Sequence, residues 1–102
     1  MIFERDPHRL FGVPRAHRLA LVGRTLRVRG ARLREVRWFA ETGADGTALA
    51  RYRCWDERPD PDAVGAARGA RELGWERYGL DGALLDREVR RAPDARAATG
   101  VH

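Results

Sequence analysis

The chain has 102 residues and a formal charge of +5, a size that suits one domain and leaves little room for a second. Its single Cys excludes an internal disulfide, and no apolar run approaches the ~20 residues that cross a bilayer as a helix. The opening Met1-Ile2-Phe3-Glu4-Arg5-Asp6 has no apolar segment of secretory type, so the expected compartment is the cytoplasm.

All 20 basic residues are Arg, and Ser, Asn, Gln and Lys are absent, a usage that fits a GC-rich coding background. Without Ser no Ser-based triad can form. The charge is uneven: residues 1–37 hold ten Arg against three carboxylates, whereas 38–62 hold three Arg against six. A basic first third suits an acidic partner, or it faces the acidic 56–62 stretch of the same or a neighbouring chain.

Residues 1–16 are interrupted by Pro7, Gly12 and Pro14 and are expected to form an irregular lead-in, with a short strand near Arg9–Val13 as the alternative. From His17 the pattern is strand-like. Leu19 and Leu21 alternate, Gly23 interrupts, and Leu26 and Val28 alternate in the opposite phase, which places a bulge at Gly23-Arg24. Arg29-Gly30-Ala31-Arg32 reads as a short turn. Residues 33–42 and 47–56 flank Gly43-Ala44-Asp45-Gly46, a strong hairpin signal. A two-residue turn pairs Trp38 with Arg53, and a four-residue loop pairs Trp38 with Arg51. Both registers put Arg37, Phe39, Ala50, Tyr52 and Cys54 on one face, with Val36, Trp38, Ala40, Leu49, Arg51, Arg53 and Trp55 on the other.

Asp62 can cap a short helix near 63–73, opposed by Gly65 and Gly69, which favour a loop. Residues 74–91 form a second hairpin around Asp81-Gly82, read as a type I′ turn that sets Arg77 against Asp86 and Glu76 against Arg87. Over Trp75 to Val89 this pattern of aromatic strand and Asp-Gly turn resembles MORN-like or YwqK-like hairpin repeats. Nothing else repeats at a fixed period. The expected fold is therefore mainly β: a small antiparallel meander or partial barrel of five to six strands, with a short helix near 63–73. The domain spans 1–91 and the tail 92–102 is expected to fray.

The residue types that carry chemistry are sparse. Cys54 has no ligand-spaced partner, and His8, His17 and His102 show no metal spacing, so no metal and no cofactor is expected. His17 could act as a general base beside a carboxylate, and Glu35 or Glu41 could point inward as a buried acid. There is no phosphate-binding loop or dinucleotide fingerprint. The balance points away from an enzyme, and no residue is assigned a catalytic role.

The leading expectation is a non-enzymatic binding or accessory module that uses an aromatic-rich sheet face, with Trp38, Arg51, Arg53 and Trp55 as the ligand contacts. One alternative is a nucleic-acid binder that adds a basic patch of Arg27, Arg29, Arg34 and Arg37. Another is a small barrel cyclase or isomerase acting on an apolar substrate. The expected partners are a second copy of the chain, packed sheet face to sheet face, and a nucleic acid or small molecule. No membrane is expected.

Overall fold

A computed structural model describes residues 5–62 and 70–92. One short helix, α1 (Pro7–Phe11), precedes five strands: β1 (Arg18–Arg29), β2 (Arg32–Thr42), β3 (Ala48–Pro59), β4 (Arg71–Tyr78) and β5 (Leu84–Ala92). They form one open antiparallel sheet in the order β1-β2-β3-β4-β5, so each strand pairs with its sequence neighbour. This is the meander; β1 and β5 are its two edges and do not close into a barrel.

The residues that interrupt the lead-in are the boundaries of α1. The Asp6 side chain accepts a hydrogen bond from the His8 N–H at 3.0 Å, Pro7 opens the helix, and Gly12 closes it with φ 68. An N-cap Asp, a Pro at the first position and a Gly just past the end form a complete set of helix stop and start signals. The irregular lead-in expected there is corrected accordingly. The helix expected near 63–73 is also corrected where it can be seen: Arg71, Glu72 and Leu73 lie in β4, and 63–69 fall outside the described residues.

α1 lays Phe11 on one face of the sheet. The ring stacks on Tyr52 at 4.3 Å between centroids and meets the edges of Phe39 and Trp75 at 5.7 and 5.6 Å. Val13, Ala50 and Cys54 complete this core, and Leu10 links it to a second buried pair, Leu73 and Ala92. Burying a side chain such as Phe11 stabilises by about 1.5–3 kcal/mol. Ala92 ends β5 as a buried residue, so the ordered sheet runs one residue past the expected limit of 91.

The hairpin registers follow from the turns. Gly30-Ala31 is a two-residue turn that sets Arg29 opposite Arg32. The bulge in β1 falls between Leu21 and Gly23, so Val22 is the extra residue, one position before the expected site. Trp38 pairs with Arg53, as the two-residue alternative required. The turn itself is different. Gly46 N–H donates to Gly43 C=O at 2.9 Å and Gly43 N–H donates to Thr47 C=O at 2.8 Å, which makes a three-residue loop. A later bulge, between Glu41 and Thr42 in the β2–β3 register, restores the pairing.

The second turn is a copy of the first. Gly82 N–H donates to Gly79 C=O and Gly79 N–H donates to Ala83 C=O, each at 2.9 Å. The Asp45 and Asp81 carboxylates each accept the backbone N–H two residues on, at 3.0 Å. Gly46 and Gly82 both have φ 86, and among the described residues no non-Gly residue has positive φ. A type I′ turn would need positive φ at Asp81 too, so the expected turn type is corrected to a type I turn followed by a left-handed Gly. The registers Arg77 opposite Asp86 and Glu76 opposite Arg87 still hold, because a register shift beside Tyr78 absorbs the extra residue, and the second pair meets as an ion pair at 3.8 Å. The two turns, with Gly46 and Gly82 as equivalents 36 residues apart, are thus one local motif used twice.

Candidate functional site on the open sheet face

The helix covers the face that carries Phe39, Tyr52, Cys54 and Trp75. The opposite face carries Trp38, Arg53 and Trp55, and α1 does not lie on it. A groove of about 390 Å³ runs across this second face over β1, β2 and β3. β1 contributes Thr25, Arg27 and Arg29; β2 contributes Arg32, Arg34, Val36 and Trp38; β3 contributes Arg53 and Glu57. Five guanidinium groups therefore surround one carboxylate.

The register makes this crowding severe. Arg27 sits directly opposite Arg34, and Arg29 directly opposite Arg32. Like charges facing each other across a strand pair destabilise a sheet, by roughly the 0.2–1 kcal/mol that opposite charges contribute. Glu57 offsets part of this, lying 3.5 Å from Arg32 and 3.8 Å from Arg34. Arg53 is held by Glu76 at 3.2 Å. Arg27 and Arg29 have no ion-pair partner among the described residues and are exposed. Protection of an edge strand accounts for charge on β1. It does not account for Arg32 and Arg34, which lie on β2 inside the sheet.

The two tryptophans differ. Trp38 is 37 % exposed, and its ring centroid lies 6.3 Å from that of Tyr78. Trp55 is only 4 % exposed. It lies flat over Gly74, where a Cβ would come within 2.0 Å of its ring. Its indole N–H donates to Glu72 at 2.9 Å. The Arg53 and Arg34 guanidinium groups sit 5.0 and 5.5 Å from the Trp55 ring centroid. Trp55 is thus a buried floor that positions two arginines, and Trp38 is the ring that solvent reaches.

The sequence-based site residues divide accordingly. Arg27, Arg29, Arg34, Trp38 and Arg53 come together in the groove, with Trp55 beneath them. Arg51 is exposed on the same face, opposite Ala40 and Tyr78, outside the groove. Arg37 lies on the helix-covered face opposite Cys54, its guanidinium 5.8 Å from the Phe39 ring centroid. Arg32, Glu57 and Tyr78 went unassigned from sequence. Alternation from a two-residue turn at Gly30-Ala31 puts Arg32 with Arg34, so that signal was present; Glu57 and Tyr78 needed the strand order.

Two other clusters serve the fold. Glu41, 3 % exposed, receives the His17 imidazole at 2.6 Å on one oxygen and the Tyr52 hydroxyl at 2.8 Å on the other. His8 donates to the His17 carbonyl at 2.8 Å. These bonds tie the N-terminal arm to the sheet and satisfy a buried carboxylate that would otherwise be costly. On the same face Arg71 grips Asp56 with two hydrogen bonds of 3.0 and 2.5 Å, and Arg58 lies 3.6 Å away. Cys54 is buried, and that burial pushes its thiol above the usual range, which keeps it protonated and unreactive. No group of three metal-ligating side chains occurs among the described residues, and none of their helices is long and apolar enough to cross a membrane.

Comparison with family models, with curated proteins and with solved structures found no match, so the reading of this face rests on its own residues.

Proposed function

We propose that the chain is a non-enzymatic binding module that takes up an anionic ligand on its open sheet face, through Arg27, Arg29, Arg32 and Arg34 beside Trp38. One observation carries this: on the groove face two pairs of arginines, Arg27 with Arg34 and Arg29 with Arg32, stand directly opposite each other across β1 and β2, with Glu57 as the single carboxylate in the groove. A folded chain keeps such an arrangement at a cost in stability. A bound polyanion removes that cost, because each anionic group can accept from two guanidinium groups at once. Arginine also suits this role because its charge does not titrate in the physiological range.

The test uses inorganic polyphosphate and calorimetry at low salt. The parent chain binds, and binding weakens steeply as salt is raised. The Arg27→Glu/Arg29→Glu variant does not bind. It is also more stable than the parent at low salt, by about 0.2–1 kcal/mol for each repulsive pair turned attractive. That corresponds to a melting temperature higher by a few degrees, at about 4–8 °C per kcal/mol for a domain of this size. A parent chain that ignores polyphosphate at low salt refutes the proposal.

A further inference from the structure

We infer that the anion held on this face is a single-stranded nucleic acid, with bases stacked on Trp38 and phosphates lying along Arg34, Arg32, Arg29 and Arg27. This rests on the anion-binding reading above and adds the class of ligand.

The groove is more than a charged surface. At one end stands the Trp38 ring, 37 % exposed, with the Tyr78 ring 6.3 Å away. At the other end stand Arg27 and Arg29, which have no ion-pair partner among the described residues. A polyphosphate would satisfy the arginines and leave the exposed ring in water. A nucleotide chain has both parts: a π-face for the ring and a phosphate for the guanidinium groups.

The spacing fits as well. Residues on one face of a strand recur every ~6.8 Å, so Trp38, Val36, Arg34 and Arg32 form a regular row along β2. Arg34 therefore lies roughly 13–14 Å along the strand from Trp38, a reach of about two nucleotides of extended chain. Arg53 stands between the two parts. Its guanidinium lies 5.9 Å from the Trp38 ring centroid and is fixed by Glu76 at 3.2 Å, so it can meet a phosphate or base oxygen without moving. Duplex nucleic acid does not fit this arrangement. Its bases are stacked on both faces and present only their edges, so none can lie on the ring. Because every base has a π-face, little sequence preference is expected.

The test compares labelled oligothymidylate, its ribonucleotide counterpart, the same sequence as a duplex, and inorganic polyphosphate of matched charge. Single strands are expected to bind more tightly than polyphosphate or duplex and to quench tryptophan fluorescence. Trp38→Leu weakens single-strand binding roughly 5- to 150-fold, the range found when one base loses its aromatic platform, and leaves polyphosphate affinity unchanged. Trp38→Phe recovers most of the loss. Arg27→Ala flattens the salt dependence of single-strand binding by about 0.7 in logarithmic slope, one phosphate contact. If polyphosphate binds as tightly as the single strands and Trp38→Leu changes neither, the nucleic-acid inference falls and the anion-binding reading stands. Duplex binding as tight as single-strand binding also overturns the inference. If neither polyphosphate nor oligonucleotide binds at low salt, both fall.

Discussion

Gly74→Ala removes the floor of the groove. A Cβ built at Gly74 lies 2.0 Å from Cζ2 of Trp55, 2.3 Å from Cε2 and 2.7 Å from Cη2. Three ring atoms are overlapped together, so a shift of a few tenths of an ångström cannot relieve the contact and the indole must lift. The ring is 4 % exposed, and re-exposing half of a Trp side chain's ~150–250 Å² at ~25 cal/mol per Å² costs about 2–3 kcal/mol. Loss of the indole hydrogen bond to Glu72 adds about 1.5–3 kcal/mol, because the acceptor is charged. The entropy gained by replacing Gly returns about 0.5–1 kcal/mol. The net loss is about 3–5 kcal/mol, a large share of the ~5–15 kcal/mol that domains usually have. Urea unfolding followed by circular dichroism measures it, and acrylamide quenching reports whether the indole has left its seat. In a Trp55→Leu background the same Gly74→Ala change should cost much less, since no ring covers the position. An equal cost in both backgrounds would show that the close approach of Trp55 is not what Gly74 serves, and would refute the reasoning.

Stability should fall at both ends of the pH range for identifiable reasons. Burial, then the hydrogen bond to Glu41 and the charge behind it, raise the Tyr52 phenol above its ordinary 10.0, so its contribution is full below about pH 10 and is lost as pH rises further; Tyr52→Phe flattens that alkaline limb in pH-dependent urea unfolding. The hydrogen bond from Trp55 and the pairing with Arg91 lower the Glu72 carboxyl below 4.5, so its contribution is present above that pH and is lost on acidification; Glu72→Gln flattens the acid limb. If the homodimer expected from sequence packs open face on open face, it opposes two sets of arginines, and sedimentation should find dimer only at high salt or with polyphosphate. A dimer at low salt that survives Arg27→Glu/Arg29→Glu would place the contact elsewhere.

Some of this was legible in the chain and some was not. Alternation and turn residues alone located all five strands and assigned Trp38 and Phe39 to opposite faces. Local chemistry suffices there, because a period of two and an Asp-Gly turn are decided by neighbours in sequence. The helix signals Asp6, Pro7 and Gly12 were equally local, but five helical residues are too few to show a period, so they read as interruptions. The turn type was missed because Asp45 and Asp81 use their carboxylates to hold the next backbone N–H groups, an arrangement with Asp in ordinary negative φ.

The sequence by itself determined an antiparallel meander with two faces, one of them bearing Trp38, Arg53 and Trp55. Only the tertiary structure decided which face is covered. Phe11, far from β3 in sequence, settles on Tyr52, and among the described residues no helix lies over the other face. Pattern could not tell the faces apart, since both carry aromatic rings and arginines. The same holds for the two tryptophans. Each ring faces a glycine on a neighbouring strand, Gly74 for Trp55 and Gly23 for Trp38. Trp55 also bonds to Glu72 on β4 and lies beneath Arg34 and Arg53, so it is buried while Trp38 is left 37 % exposed, a fact of strand order and register that no local stretch of the chain contains.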